Sequence, residues 1–219
     1  MGAKKNDFAA MPQMAVRILT TPAESFRKMP KKGGFVEPLV FSWFMGLIAS
    51  IIQAIWSLLG FGYGGQAQSG VAWIILSIIF MPVILVICSF VGAAIVSFIW
   101  ILMGSKQNYE ASYRCMAYLM ALAPLIALIE VIPYAGIILS FAIVTFYIVI
   151  ASAEVNGISA RKALLVFGII GMALTMLSLY SEYSTRNPTP EQVRKAAEET
   201  AKQYQQYIDE ARKQASSNR

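Results

Sequence analysis

The run VAWIILSIIFMPVILVICSFVGAAIVSFIWILM, residues 71–103, contains no charged side chain. A helix on the surface of a soluble domain buries one stripe and keeps the opposite face polar. This run is apolar all round, so it reads as a helix in lipid. At about 1.5 Å per residue it would reach roughly 50 Å, against about 30 Å of hydrocarbon. No polar turn divides it. It is therefore read as one tilted or protruding span, kinked at Pro82.

Outward from this run the same pattern repeats. Between Phe35 and Gly104 the only charged residue is Glu37. The chain is 57% hydrophobic and 14% charged, where an ordinary soluble domain has roughly 25% charged residues. Spans are predicted over about 35–59, 71–103, 112–129, 134–152 and 163–180. The fold class expected is an all-α, polytopic five-transmembrane-helix bundle occupying residues 35–180. Residues 1–34 are polar and basic, with no apolar signal-peptide core. They carry an amphipathic helix at the membrane interface, for which Thr21-Pro22-Ala23-Glu24 reads as a capping box. Residues 181–219 form a polar tail with a helix over about 190–213, opened by a second capping box, Thr189-Pro190-Glu191-Gln192. Its Val193, Ala197, Thr200, Tyr204, Tyr207 and Ala211 make a weak heptad stripe, suited to a solvated helix or to a partner.

The formal charge of +6 raises nucleic acid as a partner. The bases are instead gathered before the first span, at Arg27, Lys28, Lys31 and Lys32. That placement suits anionic lipid headgroups, at about 1 kcal/mol per base, and no nucleic acid. Lys and Arg also mark the loops at 104–112 and 153–162 with their span ends, through Lys106, Arg114, Arg161 and Lys162. The connections at 60–70 and 130–134 have none. The positive-inside rule then places the N-terminus in the cytoplasm and, after five spans, the C-terminus outside. Trp43 and Trp100 fall toward the inner ends of their spans, Trp56 and Trp73 toward the outer ends, as aromatic belts require.

With no histidine and no CxxC, the chain has no His-based metal site or general base. GFGYGG at 60–65 has neither the Lys-Ser/Thr ending nor the preceding strand of a phosphate loop. No serine has a base beside it. No enzyme, metal or cofactor is expected. Three sets of candidate positions remain. Glu37, Arg114, Glu154 and Lys162 form a candidate ion cluster at the inner face. Its plain reading is a structural pair of Glu37 with Arg114 or Lys162, and its functional one a headgroup, partner or proton site. Glu130, Pro133 and Tyr134 lie in APLIALIEVIPYAG (123–136) and are expected to close a short outer hairpin. There Pro133 begins the fourth helix, Gly136 permits close approach, and Pro124 kinks the third span. Rows of small residues (Gly46, Ser50, Ala54; Ser89, Ala93, Ser97; Gly171, Thr175) suit packing within the bundle or in a homo-oligomer.

TPAESF (21–26), YEASYRCMAYLMALAP (109–124), IPYAG (132–136) and NGISARKA (156–163) occur in an order that resembles the Yip domain family, named for Ypt/Rab-interacting proteins, and its bacterial branch in particular. The resemblance covers about residues 14–180. It implies a five-helix integral membrane protein with a cytoplasmic N-terminus, in a bacterial inner membrane, and it supplies no catalytic residues. Eukaryotic relatives bind Rab GTPases and one another, and carry an Asp-Leu-Tyr-Gly-Pro motif before the first span. Phe35-Val36-Glu37-Pro38 keeps only an acid and a proline of it. Two function classes follow: a non-enzymatic organiser that binds lipids and other membrane proteins, or a small transporter or channel. The second needs midplane polar groups, and Ser50, Gln53, Ser89, Ser97 and Thr145 are the candidates.

Overall fold

The computed structural model describes residues 11–61 and 71–217, apart from the side chains of 71–73, 196, 203 and 210–217. The described residues form helices α1 (Met11–Thr20), α2 (Pro22–Lys28), α3 (Val36–Leu58), α4 (Val71–Leu102), α5 (Tyr109–Leu119), α6 (Ala123–Ile129), α7 (Ala135–Asn156), α8 (Ala160–Arg186) and α9 (Pro190–Ser217). Five stretches are long and apolar enough to cross a membrane: α3, α4 from Ile74, α5 with α6, α7 and α8. The protein is a helical membrane bundle.

The chain divides into two units at Leu179 and Tyr180. In the first, α3 and α4 pack along their small residues. A Cβ on Gly46 would lie 3.2 Å from Leu85 Cδ1 and 3.4 Å from Pro82 Cα, so a small residue here lets the two helices approach closely. The α4 helix continues through Pro82. It buries Pro82, Ser89, Ala93, Ser97 and Trp100, while Ile79, Val83, Ile87, Val91, Ile95 and Phe98 point outward. Outward apolar side chains are what a lipid-facing helix requires. The small-residue row of α4 meets α5: Ser112 donates to Ser97 at 3.1 Å, and Ala93 packs with Tyr113 and Ala117. Thr145 of α7 faces Gly171 of α8, where a Cβ would come within 2.5 Å of the Thr145 hydroxyl.

The α5 helix is the most enclosed. Its segment through Ile129 is 56% buried, against 17% for α4 and α8. Ala111 to Cys115 are all buried, and the polar atoms of that helix face protein rather than lipid. Asn108 caps it by accepting from the Ala111 N–H at 3.1 Å. A 3-10 turn, Met120–Leu122, separates α5 from α6, and Pro124 stands in the first turn of α6. This is the interruption that a proline without an N–H imposes.

Three expectations are corrected. Trp100 is fully buried, not in an aromatic belt. Its indole donates to Ser152 at 2.7 Å, and its ring meets Phe167 edge-on. The capping box at Thr21 does not form. The Thr21 hydroxyl donates back to the Arg17 carbonyl at 3.0 Å, and Glu24 pairs with Lys28. Pro133 does not begin α7, which starts at Ala135 with Tyr134 as its N-cap. The side chain of Trp73 lies outside the described residues.

The second unit holds α9. Here the capping box is present: the Thr189 N–H donates to Gln192 Oε1 at 2.8 Å, and the Gln192 N–H reaches the Thr189 hydroxyl at 3.4 Å. Glu191–Lys195 and Arg194–Glu198 pair along the helix. Val193, Tyr204 and Tyr207 of the heptad stripe are exposed.

Candidate functional site

The basic segment before the first span is built into the bundle. Phe26 and Ile18 are almost wholly buried, and with Ala15 and Met29 they join the main core with Tyr118, Tyr147 and Val155. Tyr147 of α7 donates to the Leu19 carbonyl at 2.7 Å. Arg27 makes a two-point contact with Glu154, Nε to Oε2 at 2.8 Å and Nη2 to Oε1 at 2.9 Å. Lys31 donates to the Val155 carbonyl at 3.1 Å, near the C-terminal end of α7, where a cation complements the helix dipole. α1 and α2 are thereby fixed to α7 across a long sequence separation.

The KKGG turn is held from the other side. Gly33 and Gly34 have φ of 143° and 82°, conformations that favour glycine. Their N–H groups both donate to Glu110 Oε1, at 2.8 and 2.7 Å. The Gly34 carbonyl accepts from Arg114 Nη1 at 2.8 Å. Arg114 is fully buried; its Nη2 reaches Glu37 at 3.0 Å and the Tyr118 hydroxyl at 3.2 Å. Its Nε has no hydrogen-bond partner among the described residues. Glu37 is 44% exposed, so the pair joins a buried cation to a partly exposed carboxylate.

Of the four residues expected as one ion cluster, Glu37 and Arg114 are brought together. Glu154 is placed with Arg27 instead, and Lys162 is exposed and joins no ion pair among the described residues. Of the four bases expected at headgroups, Arg27, Lys28 and Lys31 have partners within the protein yet remain exposed; Lys32 is exposed as well. Exposed pairs are worth about 0–1 kcal/mol, so they orient these side chains without withdrawing them from other ligands. The Lys28 ammonium, hydrogen-bonded to Glu24, holds that carboxyl below its ordinary value. Glu110 was not among the expected residues. Its signal was present: it stands four residues before Arg114 on one helix face, beside a Gly-Gly turn.

At the other end, α6 and α7 form the hairpin. Glu130 is the C-cap of α6 and partly buried. Tyr134 has φ 58°, a rare conformation for a residue with a side chain. Trp56 of α3 donates to the Ala127 carbonyl at 3.1 Å, satisfying a last-turn acceptor of α6. Gln53, Trp56, Phe61 and Glu130 line a cavity of about 160 Å³ there.

A model of the Yip1 domain matches residues 16–181. The chain belongs to the Yip1 family. The match begins inside α1, so the second half of α1 and all of α2 fall within the Yip1 domain. No curated protein and no solved structure matches the chain.

Proposed function

We propose that this Yip1 domain is a non-enzymatic organiser of the bacterial inner membrane, binding anionic lipid headgroups and partner membrane proteins through its basic end. The observation that carries the reading is the seating of α1 and α2. Phe26, the Tyr147–Leu19 hydrogen bond and the Arg27–Glu154 pair hold a cationic segment in one orientation. A fixed basic surface beside a bilayer attracts anionic headgroups. In this reading the basic end is cytoplasmic and the tail after the fifth crossing lies outside, following the distribution of Lys and Arg.

Other features support an organiser over a transporter. Ser50 donates to Gly46 and Ser89 to Val86 within their own helices, and Ser97 pairs with Ser112. These midplane hydroxyls thus serve packing. Glu37, the acid retained from the Rab-associated motif, is engaged by Arg114.

The test is purification of the full chain in mild detergent, with mass spectrometry of the lipids and proteins retained. Enrichment of anionic lipid and of specific membrane proteins is expected. Retention matching bulk membrane composition, together with a solute flux in proteoliposomes, would replace this reading with the transporter.

A further inference from the structure

A cavity of about 490 Å³ opens beneath the docked N-terminal helices, within the roughly 300–1,000 Å³ of small-molecule sites. Ile18, Phe26, Met29, Pro30 and Tyr118 form apolar walls, and Ser25 and Thr21 also line it. Arg17, Glu24 and Lys28 stand at the same cavity. Lys28 is hydrogen-bonded to Glu24, and Arg17 also acts on that carboxylate through its charge but among the described residues forms no ion pair within 4.0 Å, so two cations stand beside one anion. Tyr118 carries the cavity to the buried clasp, since its hydroxyl bonds Arg114 and lies 3.4 Å from Glu37.

We propose that this cavity is a binding site for one anionic phospholipid, with its phosphate on Arg17 and its glycerol and first chain segment against Phe26, Met29 and Tyr118. The proposal rests on the reading of the basic end as a headgroup surface and gives that surface a defined seat. Charge selects the occupant: apolar walls accept any amphiphile, but one net positive charge beside them favours a phosphate that bears no ammonium. Arg supplies paired donors for phosphate oxygens. Lys28 is within the same cavity and exchanges Glu24 for the phosphate as the lipid enters.

The experiment uses the full chain in a neutral detergent. Thermal unfolding is followed against short-chain phosphatidylglycerol, short-chain phosphatidylcholine and glycerol phosphate. Phosphatidylglycerol alone is expected to raise the unfolding temperature. Arg17→Gln should move its half-maximal concentration up about tenfold, the loss of one charge-assisted contact. Ser25→Leu keeps every charge and narrows the cavity; it should weaken the phosphatidylglycerol shift while unfolding at or above the wild-type temperature without lipid. Equal stabilisation by glycerol phosphate would make this a free-phosphate site and overturn the lipid. Equal stabilisation by phosphatidylcholine would overturn the role of charge. A full phosphatidylglycerol shift in Ser25→Leu would overturn the cavity and leave the headgroup surface standing. A wild-type chain indifferent to phosphatidylglycerol would overturn both.

Discussion

A Cβ built on Gly136 would lie 2.5 Å from the Ile129 carbonyl oxygen and 2.8 Å from Glu130 Cα, both backbone atoms that cannot turn away. Gly136→Ala must therefore spread the hairpin between α6 and α7. Overpacking of this kind costs about 1–3 kcal/mol, and a lower unfolding temperature in detergent is the expected result. Glu130→Gln keeps shape and hydrogen bonding while removing the charge. Glu130 stands at the end of α6, where a charge is far cheaper than the roughly 2.5–3.5 kcal/mol at a helix centre, so stability and retained partners should survive. Loss of a proton-dependent flux in this variant, where wild type has one, would instead make Glu130 a transport residue. At the basic end, Glu37→Leu strands the buried Arg114 guanidinium. The expected destabilisation is about 2 kcal/mol, below the 3–5 kcal/mol of a fully buried pair because Glu37 is partly exposed; a chemical or thermal denaturation series in detergent reads it. That Glu37 meets a base was legible in the sequence, because a charge beside long apolar runs has few other ways to be satisfied; the choice between Arg114 and Lys162 was not, and the fold makes it Arg114. The partner of Glu154 was not legible. Lys162 is its near neighbour along the chain, whereas Arg27 is 127 residues away, and only the docking of α2 on α7 brings it there.

Among the elements, the two capping signatures show how context decides a local signal. Thr21 and Thr189 each precede Pro, one residue, and an amide or acid. Thr189 follows a break in the helix, so its backbone and hydroxyl are available to cap α9. Thr21 follows α1 directly, and its hydroxyl and N–H both turn back to the Arg17 carbonyl. The spans were legible because an apolar face on every side has one solvent that suits it. The docking of α1 and α2 was hidden because an amphipathic stripe looks the same whether lipid or protein covers it. Phe26→Ala tests which cover is present. Removing a fully buried phenyl costs about 3–5 kcal/mol, enough to release α2 from α7. Hydrogen exchange over residues 11–28 should rise sharply, with little change in α3 or α5. Unchanged exchange would mean that lipid, and not α7, holds the segment.

For the whole molecule, the distribution of charge implies an orientation that labelling can read. In a background with the outward-facing Cys88 replaced by Ala and the buried Cys115 retained, Ile132→Cys should react with an impermeant reagent applied from outside. Ser159→Cys should react only after permeabilisation, and Gln205→Cys, on the tail, from outside. All three positions are exposed to a reagent in the protein itself. Reversed labelling of the first two would invert the protein, and an inside tail would mean an even number of crossings. The seat of the N-terminal helices also has a consequence in biosynthetic time. α2 leaves the ribosome long before its partner Glu154, and at about 5–20 residues per second the 127 residues between Arg27 and Glu154 take about 6–25 s to synthesise. During that interval Phe26 lacks the α7 surface that α2 will pack against, while Arg27 and Lys28 precede the first span to be inserted. The helix that carries these bases is thus made before the surface on which it finally packs. Nascent chains arrested before residue 135 should present residues 11–28 to protease, and chains arrested beyond α8 should protect them.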